Sequence, residues 1–306
     1  MVTAVANDRA VAQAQLLVDS RCELGEGILW CDRNKVLYWT DILAGRLWRH
    51  DPATGHSQHW QLHEALGCLA LAEDGRLLLG LANGLYVADP EANLHHTQLP
   101  TQLLVAVEAD DSYTRINDGR ADRDGNFVFG IKSEYADGRR AGRHYQWSAA
   151  HGLRMLPLPM AVIPNAICFS PDGARIYFCD SLDGRILTAR YNAADAHAEQ
   201  VEVFVDLAEP GIEPDGAVVD DQGCIWNAQW AAGRVLRYTA NGDIVQRVEL
   251  PTRHVSCCVI GKDALYITSA RIGLADSVLA QEPSAGGVFV LPLAGVTARV
   301  DRVRLP

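Results

Sequence analysis

The chain has 306 residues, of which 48% are hydrophobic, and its 27 Lys+Arg against 38 Asp+Glu give a formal charge of -11. The apolar fraction excludes a disordered chain, and an acidic balance without a Lys/Arg run argues against nucleic acid and membrane surfaces as partners. Because no stretch reaches the roughly 18 uncharged apolar residues of a bilayer span, and Asp8 and Arg9 interrupt any signal-peptide core, we expect a cytoplasmic protein with a small-molecule partner.

Short β-rich runs recur along the chain, and no amphipathic helical pattern longer than about three turns interrupts them. Each unit has a strand of small apolar residues, an Asp-Gly-type turn, a strand rich in aromatic and β-branched residues, a second turn and a third strand. In chain order the six copies read ILWCDRNKVLYWTDILAGRLWRHDPATG from Ile28, LALAEDGRLLLGLANGLYVADP from Leu69, GRADRDGNFVFGIKSEY from Gly119, AICFSPDGARIYFCDSLDGRILTARYNA from Ala166, AVVDDQGCIWNAQWAAGRVLRYTANGD from Ala217, and CVIGKDALYITSA with GGVFVLPLAG from Cys258.

Units of about 40 to 50 residues with three or four strands are typical of β-propeller blades. The sequence therefore predicts an all-β, six-bladed propeller that forms one domain over residues 1–306, with residues 1–15 as a partly flexible extension. Residues 16–19 form a further strand-like segment, which we expect to pair with the last blade and close the ring. Polar inserts at 135–143 in the third copy and 272–285 in the sixth are predicted to be loops on one face.

The eight cysteines are scattered, lack a C-x-x-C pair and lie mostly in apolar runs. We interpret them as reduced core residues. The tryptophans are interpreted as strand packing, with Trp230 in a loop as the one placed to face a ligand.

Aligning the copies on their first turn places one residue of each copy eight positions before the turn glycine, just ahead of the first strand. These residues are Gly67, Asn117, Asn165 and Asp215, and the turn at 32–34 points back to Glu26. Equivalent positions in a propeller lie at one height around the axis. Four oxygen-bearing side chains are therefore predicted to converge on one mouth of the central channel.

A Pro-Asp-Gly tripeptide is ordinary turn chemistry, and the sequence contains two of them. The one at Asp172 falls where the repeat needs a hairpin, whereas the one at Asp215 falls before a strand, at the rim. We therefore predict a structural role for Asp172 and a functional role for Asp215.

A set of oxygen donors without cysteine or histidine suits one hard divalent cation such as Ca²⁺, Mg²⁺ or Mn²⁺, with Zn²⁺ or Fe²⁺ as alternatives. Three or four protein ligands leave coordination positions open for water and substrate, as a catalytic site requires. The chain has no G-x-S-x-G elbow, H-E-x-x-H helix or phosphate-binding G-x-x-x-x-G-K loop.

In these motifs the chain resembles the family of gluconolactonases and regucalcin, also called the senescence marker protein family, whose members are six-bladed propellers with one catalytic divalent metal. The resemblance implies metal binding by Glu26 in LGEGILW, Asn165 in PNAICFSPDG and Asp215 in EPDGAVVDDQG, with Asp215 also the general base. The segment RINDGRADRDG resembles the family's substrate segment, which implies sugar or lactone contacts from Arg115, Asn117 and Asp118. SCC at 256–258 and ITSAR…AGGVF also match.

The chain departs from this pattern after the third copy's middle strand, where many members read Gly-Thr-Met and this chain reads Gly130, Ile131 and Lys132. In the following loop, Glu134 is a candidate acceptor for a substrate hydroxyl or a solvated carboxylate. The resemblance assigns no role to Lys132.

The predicted function is metal-dependent hydrolysis of a sugar lactone to the aldonic acid by a monomeric protein. Two alternatives remain at this point. The same cation could serve a phosphotriesterase, since an oxygen-ligated metal polarises P=O as it does C=O, or the propeller could bind calcium without being an enzyme.

Overall fold

The computed structural model describes residues 11–207 and 209–306. Within them the chain forms six sheets, antiparallel except for one edge strand, whose first strands contact one another in a closed cycle. The predicted six-bladed β-propeller is confirmed. Each blade begins at the central channel, so the first strand of every sheet lines that channel and the fourth strand lies at the periphery.

Blades 1 to 3 follow the chain order without interruption. Blade 1 contains β3 to β6, blade 2 β7 to β10 and blade 3 β11 to β14. Their bounds are Gly25–Cys31, Val36–Asp41, Arg46–Asp51 and His56–Gln61, then Leu66–Leu71, Leu77–Leu81, Gly84–Ala88 and Gln102–Ala106, then Thr114–Ala121, Phe127–Ser133, Gly142–Ser148 and Gly152–Ala161.

Blade 4 contains β15 to β18, blade 5 β19 to β22 with β1 added, and blade 6 β23 to β25 with β2 added. Their bounds are Pro164–Phe169, Arg175–Asp180, Arg185–Asn192 and His197–Asp206, then Glu213–Val219, Ile225–Trp230, Arg234–Tyr238 and Ile244–Glu249, then Val255–Gly261, Ala264–Ser269 and Val288–Pro292; β1 is Val11–Gln13 and β2 is Gln15–Val18.

The N-terminal strands close the ring. β2 pairs antiparallel with β25 as the fourth strand of blade 6, so the predicted closure by residues 16–19 is confirmed. β1 pairs parallel with β22 at the edge of blade 5. The predicted flexible extension, residues 1–15, therefore includes residues 11–13, which form a strand. Residues 1–10 lie outside the described residues.

Side chains of β11 and of the turn that follows it form a ladder of hydrogen bonds to the backbone of the next blade. Asn117 donates to the carbonyl of Pro164, Arg120 to that of Ile167 and Arg123 to that of Ser170. β11 and β15 belong to different sheets, so these side chains supply hydrogen bonds that no backbone ladder provides between the two blades. The ladder fixes the height of blade 4 relative to blade 3, and with it the height of Asn165.

The two predicted inserts differ in structure. Residues 134–141 form a loop without regular structure, as expected, but the second insert contains the short α-helix α1, Asp276–Gln281. The prediction of a plain loop was wrong there, because the six-residue helix is too short to give a periodic signal. Along residues 11–207 and 209–306 we find no helix with the length and hydrophobicity to cross a membrane. All eight cysteines are free and seven are buried, as predicted.

Candidate active site

One mouth of the channel opens into a cavity of about 200 Å³. Its wall combines apolar side chains, among them Ile42, Ile163 and Trp230, with polar ones. The polar lining includes all three side chains predicted to bind a metal, together with Arg115 and Asn117; its main members are Glu26, Arg115, Asn117, Lys132, Asn165, Ser181, Glu213 and Asp215. The alignment of the internal repeats thus identified side chains from four blades that the fold brings to one cavity.

A β-bulge in each first strand directs these side chains toward the cavity. In all six blades the register shifts at the equivalent point, between Glu26 and Leu29 in blade 1, and likewise at Leu66/Cys68, Ile116/Gly119, Asn165/Cys168, Pro214/Ala217 and Val255/Cys258 in the others. An extra residue bends the strand and re-aims its side chains. Gly27 (φ 55°) and Ala166 (φ 58°), directly after Glu26 and Asn165, take left-handed conformations there, which for Ala166 stores strain beside the site.

Glu26 and Asp215 are buried carboxyl groups that line the same cavity and interact electrostatically. Burial raises the pKa of Glu26 to about 8, and the Asp118 charge adds to this effect. Burial and the charge of Glu26 raise the pKa of Asp215 well above its usual range. Two buried carboxyls that interact in this way cannot both be ionised at neutral pH unless a cation balances them.

Asn165 is held by two hydrogen bonds that fix its amide. Its Oδ1 accepts from Asn117 Nδ2 at 2.9 Å, and its Nδ2 donates to Ser181 Oγ at 2.9 Å. The oxygen therefore lies on the side of Asn117, and one of its two lone pairs stays free. Asn117 donates its second hydrogen to Pro164 at 3.0 Å, so its amide donors are both used within the protein.

Arg115 is a buried cation with free donors. Its Nε donates to Glu134 at 2.9 Å, and its Nη1 donates to the Ile116 carbonyl and Asn117 Oδ1. Among the described residues Nη2 has no partner and is left for a ligand. Glu134 is 43% exposed and does not belong to the cavity lining, so the structure places it as the counter-ion that orients Arg115.

Asp118 lies below the cavity. Its Oδ1 accepts from the Gly119 amide and its Oδ2 from the Ile167 amide, both below 3.0 Å, and it is not part of the lining. The structure therefore does not bring Asp118 into the cavity lining with Arg115 and Asn117, because the bulge turns its side chain toward the neighbouring strand while Asn117 faces the cavity.

Each predicted metal ligand follows a residue whose carbonyl accepts a hydrogen bond from the preceding blade. Asn117 donates to Pro164, before Asn165. Ser181 donates to Pro214, before Asp215. Ser256 donates to Gly25, before Glu26. We call these three bonds the blade latches. They hold the strand ends that carry the ligands at one height, which the sequence repeat alone did not reveal.

The residues present fit a divalent cation. Asp215 Oδ1 is buried and accepts no hydrogen bond from any described residue, which is costly unless something else occupies it. Among the described residues no three His, Cys, Asp or Glu side chains are grouped so that they could hold a metal ion; the set here consists of two carboxylates and the Asn165 amide. An all-oxygen donor set with two negative charges is typical of hard divalent ions.

Sequence reasoning missed two charged residues of the cavity, Lys132 and Glu213. The family resemblance assigns no role to Lys132. Glu213 directly precedes the Pro-Asp-Gly tripeptide that contains Asp215, and no motif singles it out. Trp230 lines the cavity, as expected, and stacks on His254 with ring centroids 4.0 Å apart. The signal that would have found Lys132 is its position directly opposite Arg115 in the β11–β12 hairpin.

Comparisons with known proteins cover most of the chain. Residues 24–271 match the model of the SMP-30/Gluconolactonase/LRE-like region. The chain is 45% identical to an L-arabinolactonase of Azospirillum brasilense, with 91% of each chain covered. It is 36% identical to a 6-deoxy-6-sulfogluconolactonase of Pseudomonas putida, covering 87% of this chain and 90% of the relative.

A solved structure has the same fold. A calcium-binding protein, regucalcin, from Agrobacterium tumefaciens superposes with a TM-score of 0.87 at 29% sequence identity, covering 96% of this chain and 99% of the other. The likeness extends over all six blades, because nearly the whole of both chains is aligned.

Proposed function

The chain belongs to the SMP-30/gluconolactonase/LRE-like family, and from this premise we propose that it hydrolyses a sugar lactone with the help of one divalent cation. In the reaction water adds to the lactone carbonyl and the ring C–O bond breaks. The former ring oxygen takes up a proton, and the product is the open aldonic acid.

The observation that carries the proposal is the convergence of Glu26, Asn165 and Asp215 on one cavity, with Asp215 Oδ1 buried and unpartnered. We assign these three residues as the metal ligands. A divalent cation bound by them would supply Lewis-acid polarisation of the lactone carbonyl.

We assign Asp215 as the group that accepts a proton from the attacking water. Its position makes it suitable as a general base, because its carboxylate lines the cavity and Oδ1 accepts no hydrogen bond from a described residue. The Asn227 side chain donates to the Asp215 backbone carbonyl at 2.8 Å and holds this residue in place.

Arg115 is the proposed substrate clamp. Its Nε and Nη1 are fixed within the protein, so its guanidinium plane is oriented before substrate arrives and Nη2 donates to sugar hydroxyls. The motif of Asn117 implies a substrate contact. We assign it chiefly the role of holding Asn165, because both of its amide hydrogens are donated within the protein, to Pro164 and Asn165.

The substrate proposed first is a pentono-lactone. A cavity of about 200 Å³ suits a ligand of roughly ten heavy atoms, which is at the small end of ligand sites. The relative with 45% identity is an L-arabinolactonase, so L-arabinono-lactone heads the substrate panel.

The test is to strip the protein with a chelator, restore single divalent metals and follow proton release on pentono- and hexono-lactones. We expect no release above the spontaneous rate in the stripped protein and a metal-dependent rate on at least one pentono-lactone. A phosphotriester panel runs alongside. Absence of metal-dependent acid release from every lactone would overturn the proposal, and a higher rate on a phosphotriester would replace it.

A further inference from the structure

Two cationic side chains lie side by side in the cavity wall. Arg115 of β11 and Lys132 of β12 are direct partners across the hairpin of blade 3, and both line the cavity. Like charges directly opposite one another in a sheet are unfavourable, and burial of an ammonium adds to that cost. Two adjacent cations that lower the stability of the fold are typical of a functional site.

The two cations differ in the number of hydrogen-bond and ion-pair partners that the protein supplies. Arg115 is paired with Glu134, whereas Lys132 makes no hydrogen bond or ion pair with the described residues, although its side chain is largely buried. An ammonium has three donors and no acceptor. The donors of Lys132 therefore face the cavity without a protein partner.

We propose that Lys132 is a specificity-determining residue whose ammonium donates hydrogen bonds to hydroxyl oxygens of a neutral polyhydroxy lactone, on the blade 3 side of the cavity beside Arg115. This inference rests on the proposed lactonase function and adds the substrate class: a lactone with hydroxyl groups and no anionic substituent.

The charges around the two cations favour a neutral substrate. Arg115 and Lys132 interact with four carboxylates, Glu26, Glu134, Glu213 and Asp215, and the divalent cation proposed for Glu26 and Asp215 would bring these charges to balance. An anionic substituent would add a negative charge that this balanced set leaves unpaired. A hydroxyl oxygen accepts from the ammonium without bringing a charge of its own.

The experiment combines variants with a substrate series. Wild type, Lys132→Met and Lys132→Gln are assayed on a pentono-lactone, on each of its single-deoxy analogues, and on a lactone that carries a terminal carboxylate or sulfonate. Lys132→Met is expected to lower kcat/KM on the parent lactone by about 10- to 100-fold, the effect of losing a charged hydrogen bond. Lys132→Gln keeps a neutral donor and is expected to lose less.

The deoxy series identifies a direct contact. For at least one analogue the penalty of Lys132→Met should fall to twofold or less, because the contacted hydroxyl is already missing. An equal penalty on every substrate would overturn the inference, since it would place Lys132 at the metal or in the fold. Preference of the wild type for the anionic lactone would overturn the neutral substrate class.

Separate measurements show whether a substitution changes folding or metal binding rather than the substrate contact. Lys132→Met should keep the metal affinity within twofold by calorimetry and should unfold in one cooperative transition in chelator, as the wild type does, because Lys132 donates no hydrogen bond to a described residue. Lys262→Met, an exposed lysine in the turn between β23 and β24, is the matched control and should match the wild type on all substrates. An active wild type with an unimpaired Lys132→Met overturns this inference alone; a wild type without lactone hydrolysis overturns the proposed function as well.

Discussion

The hydroxyl of Ser181 in blade 4 donates a 2.8 Å hydrogen bond to the backbone carbonyl of Pro214 in blade 5. The same hydroxyl accepts from Asn165 Nδ2. One small side chain therefore connects Asn165 with the strand end that carries Asp215. Residues of this kind, which orient metal ligands without binding the metal, strongly affect affinity in metalloproteins.

We expect Ser181→Ala to weaken binding of the activating metal by about 10-fold or more, with a loss of only about 1 kcal/mol in unfolding free energy for the missing hydrogen bonds. Calorimetric titration of the stripped protein measures the first quantity, and urea denaturation in chelator measures the second.

Ser269→Ala is the matched control, because Ser269 is also buried and donates to a backbone carbonyl, that of Gly287, at 2.9 Å. It should show a similar loss of stability with unchanged metal affinity. Equal metal affinities for the two variants would contradict the role of the latch.

Asp215→Asn should abolish turnover, with kcat reduced by about 10²- to 10⁴-fold or more, and should remove the rise in melting temperature that metal produces in the wild type. In chelator the variant should melt at the same temperature as the wild type or higher. The reason is that the substitution removes a buried carboxyl whose pKa is raised well above its usual range by burial and by the charge of Glu26. Full activity would refute the assignment of Asp215.

Asp172→Ala tests the other Pro-Asp-Gly tripeptide. Asp172 lies in the turn between β15 and β16, where its carboxylate accepts from Ser170 Oγ and the Ala174 amide. We expect kcat/KM to stay within twofold of the wild type and the unfolding free energy to fall by about 1 kcal/mol, the usual effect of losing turn hydrogen bonds. A large loss of activity would show that the two tripeptides were wrongly distinguished.

Arg115→Lys should lower kcat/KM on sugar lactones by about 10- to 100-fold, although the charge is kept. A lysine cannot donate to Glu134, Ile116 and Asn117 together while also presenting a free donor to the substrate. Steady-state kinetics should show a rise in KM as the larger component. Arg185→Lys, in an exposed ion pair with Asp206, should leave both constants unchanged.

His144 gives a pH-dependent prediction away from the cavity lining. It is fully buried beside Phe178, and both ring nitrogens lack partners among the described residues. Burial lowers its pKa from 6.5 to about 4. The unfolded chain therefore binds a proton that the folded chain does not, and stability is lost as the pH falls through this window, at ~1.4 kcal/mol per pH unit.

Urea denaturation of wild type and His144→Phe between pH 7 and pH 4.5 measures this effect. The variant should become more stable relative to the wild type by roughly 2 to 3 kcal/mol toward the acid end. His95→Phe, an exposed histidine, should show no such relative gain. Parallel pH curves for wild type and His144→Phe would contradict the prediction.

Much of the fold was predictable from the sequence because the repeat is local. Each blade is a run of neighbouring strands joined by short turns, so turn glycines and alternating strands mark its bounds. Ring closure was also predictable, since β2 is strand-like and had no partner within its own unit. The edge strand β1 was not, because three residues carry too little pattern.

The same locality explains the partial success at the site. The repeat alignment fixed which residues share one height, so Glu26, Asn117, Asn165 and Asp215 were found together. The family resemblance also implied a substrate contact by Asp118, beside Asn117. A bulge, which depends on pairing with the second strand, decides which of the two side chains faces inward.

The sequence by itself determined the propeller, its closure and the oxygen donors at the channel mouth, because all three follow from short-range periodicity and residue type. Only the tertiary structure decided which neighbours those donors meet: the blade latches, the pairing of Arg115 with Glu134, and Lys132 left without a partner. The contacts join residues 19 to 231 positions apart, and the latches also depend on the angle between blades, which no local pattern records.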